Sequence, residues 1–446
     1  MLLYRSIVTG LNSKCVISLQ RLLAPIYILN TLSQRRVSEK HHTEDLEVQG
    51  TSVASEVQNY LKDSDVQYFI DNIPKKLLRK QCSANTPLYL VNPNVAEELS
   101  LMISKDLLEN TSFVIKCNPG LGLLTKELLD SGVPSIYLYE KNDDFTIDNS
   151  PLQRLMAKHK DKLHLRQKNF FKVWQLLLND MHLSQGLADM YLDGAPCYDW
   201  SDKSFAQIIA VCGRPFLACM IHNFFNQTSI FSHGRPTFFL ILPAKIWSRF
   251  EYNKDSKSLC YNNQWSVMLN LFFEFKCLGQ VPRKAFVPWP KIKSDYRELH
   301  APMLVVKLEP KKNAFHLIDK DDLKDFWYFT KYCMRSKKIA IIAEFEKLVP
   351  GCGPKLIRSD FDVLTKFKEL TPSQMLKLFQ NFREWPEYNP SLFAPSVNLD
   401  EEIKKEDDKV DGDEDNEKEA PEMVTKESEK EVPSLTSNVH DTVKQA

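Results

Sequence analysis

None of the ten cysteines forms a Cys-x-x-Cys pair with another, and no histidine sits at zinc-finger spacing. That excludes a zinc-finger site and a dithiol redox motif, and several thiols sit in apolar runs, where free cysteine behaves as a small core residue. A reducing compartment and no metal are expected. The apolar stretch Leu22 to Leu32 is broken by Pro25, Asn30 and Thr31, and it is too short to span a bilayer. No internal repeat is present. Net charge is also missing: 58 basic residues balance 58 acidic ones. That zero hides a division. Residues 400–446 hold 17 acids and 7 lysines, a net of −10, so the preceding residues carry +10. A basic body with an acidic tail suits a nucleic-acid partner, while a solvated tail that keeps the chain soluble is the simpler reading.

The first 38 residues contain no acid at all but carry Arg5, Lys14, Arg21, Arg35 and Arg36 among serines and hydrophobics. Arg-rich, Ser-bearing and acid-free is the signature of a mitochondrial transit peptide. Residues 1–36 are assigned that role, followed by a flexible lead-in over 37–63.

The most informative segment follows. The apolar run from Phe113 ends in Asn118-Pro119-Gly120-Leu121-Gly122, a helix-like stretch Leu123 to Asp130 comes next, and a second apolar run Ile136 to Tyr139 ends in Glu140. Strand, glycine turn, helix, strand and terminal acid make half of a nucleotide-binding α/β unit. The glycines let backbone approach a ligand, and the acid is placed to hold a ribose. The predicted fold is α/β and Rossmann-like. Further strands are expected at Phe205 to Cys212, Thr237 to Leu242 and Met303 to Leu308, and a helix over Trp265 to Phe275. From Leu317 the period becomes helical, with Leu323, Phe326, Trp327 and Thr330 on one face. Thr371 and Pro372 mark another helix start. The expected division is an α/β domain over 64–310, a small all-helical domain over 311–395 and a disordered acidic tail over 396–446.

The wording of the glycine turn resembles the first motif of the rRNA adenine dimethyltransferases, which carry Gly-Pro-Gly-x-Gly and bind S-adenosylmethionine. Leu88 to Ala96 resembles the segment preceding that family's first strand, and Gln167 to Lys172 its third-strand exit. Phe329 to Lys338 is similar to the family's basic C-terminal helix pair. Thr228 to Arg235 and Leu370-Thr371-Pro372 resemble its mitochondrial branch. The resemblance covers roughly residues 85 to 395. It implies a methyltransferase fold with a helical C-terminal domain, and a methyl-donor site at Asn118, Gly120, Gly122, Glu140 and Asn169.

Three departures bear on activity. Lys116 stands where the family has an acid before the glycines, and Asn169 replaces the acid that meets the donor's adenine. The catalytic tetrad, normally Asn-(Leu or Ile)-Pro-(Tyr or Phe), reads Gly213-Arg214-Pro215-Phe216. Gly213 has no side chain to position a target amine, so methyl transfer is expected to be weak or absent. Pro215 and Phe216 are expected still to offer a carbonyl and a stacking face. S-adenosylmethionine is the implied cofactor, and the same departures put it in doubt.

Basic residues interleave with apolar ones at Lys75, Lys76, Arg79 and Lys80, and with aromatics from Phe326 to Arg335, Lys337 and Lys338. Lysine and arginine neutralise phosphates and aromatics stack exposed bases. Such clusters are most often solvated faces over a core stripe. With the resemblance they are assigned to nucleic acid. The resemblance to the mitochondrial branch implies a transcription initiation factor acting with the single-subunit mitochondrial RNA polymerase on promoter DNA, in the matrix nucleoid. The alternatives are a working enzyme that dimethylates adjacent adenines in mitochondrial small-subunit rRNA, and a ribosome-assembly binder without chemistry. Deleting residues 1–36 is expected to leave the protein in the cytosol. Cell fractionation checks this, and matrix import of the truncated chain contradicts it.

Overall fold

The computed structural model describes residues 59–60, 72–79, 86–172, 191–227, 229–251, 263–289 and 299–389. The expected transit peptide, the acidic tail, Thr228, Lys80 and all but two residues of the lead-in lie outside them.

After a short helix α1 (Lys75–Arg79), strand β1 (Tyr89–Leu90) leads into α2 (Pro93–Leu107). The Asn92 side chain starts α2 by accepting from the amides of Asn94 at 3.0 Å and Val95 at 3.3 Å. Pro93 occupies the first turn, where its missing N–H costs nothing. There follow β2 (Val114–Cys117), α3 (Leu123–Asp130), β3 (Ile136–Tyr139), α4 (Pro151–Lys158), β4 (Leu163–Arg166), β5 (Ala206–Val211), α5 (Arg214–Asn226) and β6 (Pro236–Pro243). Then come α6 (Ala244–Trp247), α7 (Gln264–Phe272), β7 (Phe273–Pro282), β8 (Phe286–Val287) and β9 (Pro302–Pro310). The remaining helices are α8 (Ala314–Leu317), α9 (Leu323–Arg335), α10 (Ile341–Leu348), α11 (Gly353–Arg358) and α12 (Pro372–Arg383).

Seven strands form one sheet in the order β4-β3-β2-β5-β6-β9-β7, and β1 pairs with β8 in a separate two-stranded ribbon. The five strands β4 to β6 are mutually parallel, while β9 runs antiparallel to both β6 and β7. Every residue of β5 is buried, as a central parallel strand covered on both faces requires. This mixed, mostly parallel sheet with helices is the α/β Rossmann-like fold expected from the sequence. The chain winds outward from β2 to β4 and then returns to β5, so the order reverses between β2 and β5. Ligand crevices of open α/β sheets lie at that switch point, beyond the carboxyl ends of the strands.

The apolar run from Trp265 to Phe275 is not one helix. It is helical to Phe272 and then extended, because from Phe273 the backbone pairs with β9. Phe250 lies in the turn beyond α6 rather than in that helix.

One face of the sheet carries a continuous aromatic core that also includes the C-terminal helices. Trp327 of α9 packs 5.2 Å from Phe225, 5.0 Å from Trp265 and 5.4 Å from His222. Thr371 caps α12 in a reciprocal box with Gln374, at 3.2 and 2.9 Å. Sequence reading missed Arg235. Its buried guanidinium donates to the carbonyls of Trp200 at 2.7 Å, Asp202 at 2.6 Å and Pro310 at 3.1 Å. These bonds tie the loop before β5 to the end of β9. Arg235→Met removes all three donors, the one to the Pro310 carbonyl from a buried bond, with an expected loss of about 3 kcal/mol. Arg235→Lys is expected to recover only part, since an ammonium cannot reproduce the planar fork. Urea midpoints check both, and a wild-type midpoint for Arg235→Met contradicts the assignment.

Candidate functional site

The crevice beyond β2 and β5 gathers the residues singled out in the sequence. Strand β2 ends in Cys117, and Asn118 follows at a φ of 46° with its amide donating to the Tyr139 carbonyl at 2.9 Å. Gly120 and Gly122 have φ of 59° and 80°, the left-handed region that favours glycine. A Cβ on Gly120 would lie 2.8 Å from the Tyr89 ring, so the turn cannot accept a side chain there. Gly122 opens α3.

Glu140 leaves β3 directly beneath this turn and is fully buried. Its Oε2 accepts from the Gly120 amide at 3.1 Å. Its Oε1 accepts from the Asn142 amide at 2.9 Å and from the Tyr89 hydroxyl at 3.3 Å. Burial pushes the Glu140 carboxyl up, and the two amides hold it down against that shift. The Tyr89 hydroxyl is raised by burial first and by the Glu140 charge second.

Lys116 is buried at 3% exposure, and its Nζ donates to the Cys117 carbonyl at 2.7 Å. Burial lowers its ammonium to about 8, opposed by the Glu140 charge. Asn118 Nδ2 and Thr125 Oγ1 are buried and have no hydrogen-bond partner among the described residues.

The other predicted residues are placed less favourably. Asn169 Oδ1 accepts from the Phe171 amide at 3.0 Å, so it caps the turn after β4. Gly213 starts α5 without a side-chain cap, and Arg214 and Pro215 are exposed. Phe216 does not offer the stacking face expected of it. It is buried, edge-on to Phe171 at 5.0 Å and Phe238 at 6.3 Å. The reason is helical geometry: with Gly213 as N-cap, Phe216 shares with Leu217 and Met220 the face of α5 that enters the core.

The fit to a methyl donor is therefore divided. The glycine turn keeps the backbone shape of a ligand cradle. The polar anchors divide: Asn118 keeps a buried amide without a partner among the described residues at the turn, whereas the Glu140 carboxylate is committed to protein donors and Asn169 to a cap. Tyr89 was the residue missed by sequence reading. Its sole signal was its place in the segment before the first strand.

The basic residues divide similarly. Lys75 and Lys76 are exposed on α1, whereas the Arg79 side chain and Lys80 lie outside the described residues. Arg335, the last residue of α9, and Lys338 are exposed and Lys337 is half-buried, the two lysines in the turn that follows the helix. That turn is tied to a second one, Ile341 N to Thr365 O at 2.9 Å and Lys368 N to Lys337 O at 3.0 Å. Exposed Ile339, Val363 and Leu364 stand on the two turns. The neighbouring aromatics are not free to stack bases. Phe326, Trp327, Tyr328 and Phe329 are buried, and the Tyr332 hydroxyl donates to Glu344 at 2.9 Å. The helical period carries them into the core.

Lys116 yields a pH prediction. Its folded pKa of about 8 lies below the ordinary 10.5. Below pH 8 both states are protonated and the full burial cost is present. Between about 8 and 10.5 the unfolded chain holds a proton the folded one has lost, so stability rises with pH. Lys116→Met is therefore expected to be more stable at pH 7, by about 3 kcal/mol. That advantage is expected to shrink as the pH is raised toward 10. Paired urea titrations at pH 7 and 9.5 check it; an advantage independent of pH contradicts it.

Residues 79–384 match the family described as ribosomal RNA adenine dimethylase. The chain is 28% identical over 384 residues to dimethyladenosine transferase 2, mitochondrial, of Drosophila melanogaster, covering 74% of this chain and 83% of that one. It is 24% identical over 300 residues to dimethyladenosine transferase 1, mitochondrial, of Xenopus tropicalis, covering 66% and 78%. A dimethyladenosine transferase from Plasmodium falciparum of known structure aligns over 66% of this chain and 98% of its own, at 14% identity and a TM-score of 0.45. With a family match over more than half its length, the chain belongs to the ribosomal RNA adenine dimethylases.

Proposed function

We propose that this chain is a mitochondrial transcription initiation factor, acting in the matrix nucleoid with the single-subunit mitochondrial RNA polymerase to hold melted promoter DNA. The observation that carries this reading is the tetrad after β5. Gly213 offers no side chain, and Phe216 is turned into the core. The side-chain acceptor for a target amine is missing and the ring that would face a target base is buried, while the surrounding sheet is intact.

Two further observations support it. The relatives are named mitochondrial, and the N-terminal segment has transit-peptide composition. The end of α9 with Arg335 leads into a turn bearing Lys337 and Lys338 that is braced by a second turn, which gives phosphate-neutralising cations a fixed position. Family membership favours the alternative, S-adenosylmethionine-dependent dimethylation of adjacent adenines in mitochondrial small-subunit rRNA. That chemistry needs a nitrogen held in line with the donor, a positioning effect of several kcal/mol that glycine cannot supply.

Tritiated methyl incorporation into a small-subunit rRNA hairpin is expected to be feeble, and Gly213→Asn alone is not expected to restore it. Turnover equal to that of a family member with an intact tetrad selects the alternative. In run-off transcription the protein is expected to stimulate duplex templates more than pre-melted bubbles. Replacing Arg335, Lys337 and Lys338 with Ala is expected to reduce open complexes. It is also expected to lower the salt slope of single-strand binding by roughly 0.7 for each phosphate no longer neutralised. Equal stimulation on both templates removes the melting role. An unchanged slope assigns phosphate binding to Lys75 and Lys76 instead.

A further inference from the structure

In an open α/β sheet the acid that ends the second strand binds the hydroxyls of a ribose lying over the glycine turn. Here that acid already has its donors. A carboxylate offers about four acceptor positions. Three are filled by Gly120 N, Asn142 N and the Tyr89 hydroxyl, and Glu140 has no exposed surface from which to reach a fourth partner. The Tyr89 ring lies against Gly120, and its other flank meets Phe145 at a centroid distance of 4.7 Å. Nor is Tyr89 on a free loop. Its backbone pairs with Val287 across the β1–β8 ribbon, and Val91 continues the tie by donating to the Ala285 carbonyl at 2.9 Å.

From this geometry we infer that Tyr89 is an internal substitute for the ribose of the methyl donor. Its hydroxyl satisfies Glu140 and its ring covers the glycine turn, so the pocket is closed by the chain itself and takes no adenosine-bearing ligand. Glu140 then serves as a clasp. It joins the β1 segment, the turn after β2 and the exit of β3, and Tyr89 is a positioning residue for the Gly120 turn. This assignment is independent of the promoter reading, since a factor that held S-adenosylmethionine would still be able to bind DNA.

The test uses the full-length protein. Calorimetric titration with S-adenosylhomocysteine is expected to show no saturable binding up to about 1 mM. Amide exchange across residues 118–122 and 140–142 is expected to be slow without ligand and unaltered by it. Tyr89→Phe keeps the ring and removes the hydroxyl. It is expected to speed exchange at Gly120 and Asn142 about tenfold and still not to bind. Tyr89→Ala removes both and is expected to gain measurable binding. Wild-type binding tighter than about 0.1 mM overturns the inference. Fast exchange that slows when ligand is added also overturns it, as does a folded Tyr89→Ala that gains nothing. If Tyr89→Ala does not fold, the wild-type titration and the Tyr89→Phe exchange decide.

Discussion

A carboxylate removed from water must be met by donors, and Glu140 is a buried carboxylate at the point where three segments converge. Its need dictates the surroundings. The Gly120 amide faces it only because the turn adopts a positive φ, and that conformation, with the Tyr89 ring so near, admits glycine alone. The Asn142 amide faces it only because the chain turns directly after β3. Tyr89 reaches it from 51 residues earlier, which fixes the β1 segment over the sheet. The buried Lys116 acts on this charge, yet its ammonium donates to a carbonyl rather than to Glu140. The two buried charges stabilise one another through space, and neither is neutralised by contact.

The two faces of the sheet divide the labour. One face carries α2 and α3, with Leu99, Ile103, Leu107 and Leu128 fully buried. The opposite face carries the aromatic core that runs from Phe171 and Phe216 through Phe224 and Phe272 to Phe326, Phe345 and Phe382. Phe216 sits at the edge of both the crevice and this core. Once the residue at its helix start has no side chain to present to a substrate, burial of the phenyl ring is the stronger demand, worth roughly 2–3 kcal/mol. An aromatic that serves a base in an active site becomes a core residue with no change in its identity.

Much of the frame was legible because it depends on residue types that few other environments accept. A glycine turn between apolar runs, with an acid one strand later, has a backbone reason at each position. Strands β5 and β6 announced themselves as continuous apolar runs, and Thr371 with Pro372 as a helix start. Strand β7 was not legible. It is half exposed, its apolar residues continue those of α7 without a break, and only pairing with β9 fixes where helix becomes strand. The same limit hid the role of Arg235, whose three carbonyl partners lie in the loop before β5 and at the end of β9, and of Tyr89, whose hydroxyl partner follows β3. Periodicity reports which face of an element is apolar. It does not report which polar atom that face will meet, which is also why the aromatics of α9 read equally well as a stacking surface.

Catalysis and nucleic-acid binding decay differently when a sequence drifts. Methyl transfer depends on acceptors held to within a fraction of an ångström, and a small displacement there costs a large factor in rate. Neutralising phosphates depends on the number and exposure of cations near the backbone and tolerates wide variation in their geometry. The exposed Arg335 at the end of α9 and Lys338 on the braced turn after it suit the second requirement and have no bearing on the first. A chain can thus retain the α/β frame as the rigid support of a basic surface after its pocket has been closed. In this molecule the sheet, the Glu140 clasp and the aromatic core supply rigidity without any ligand, which is what a protein needs if its task is to hold a flexible strand in place.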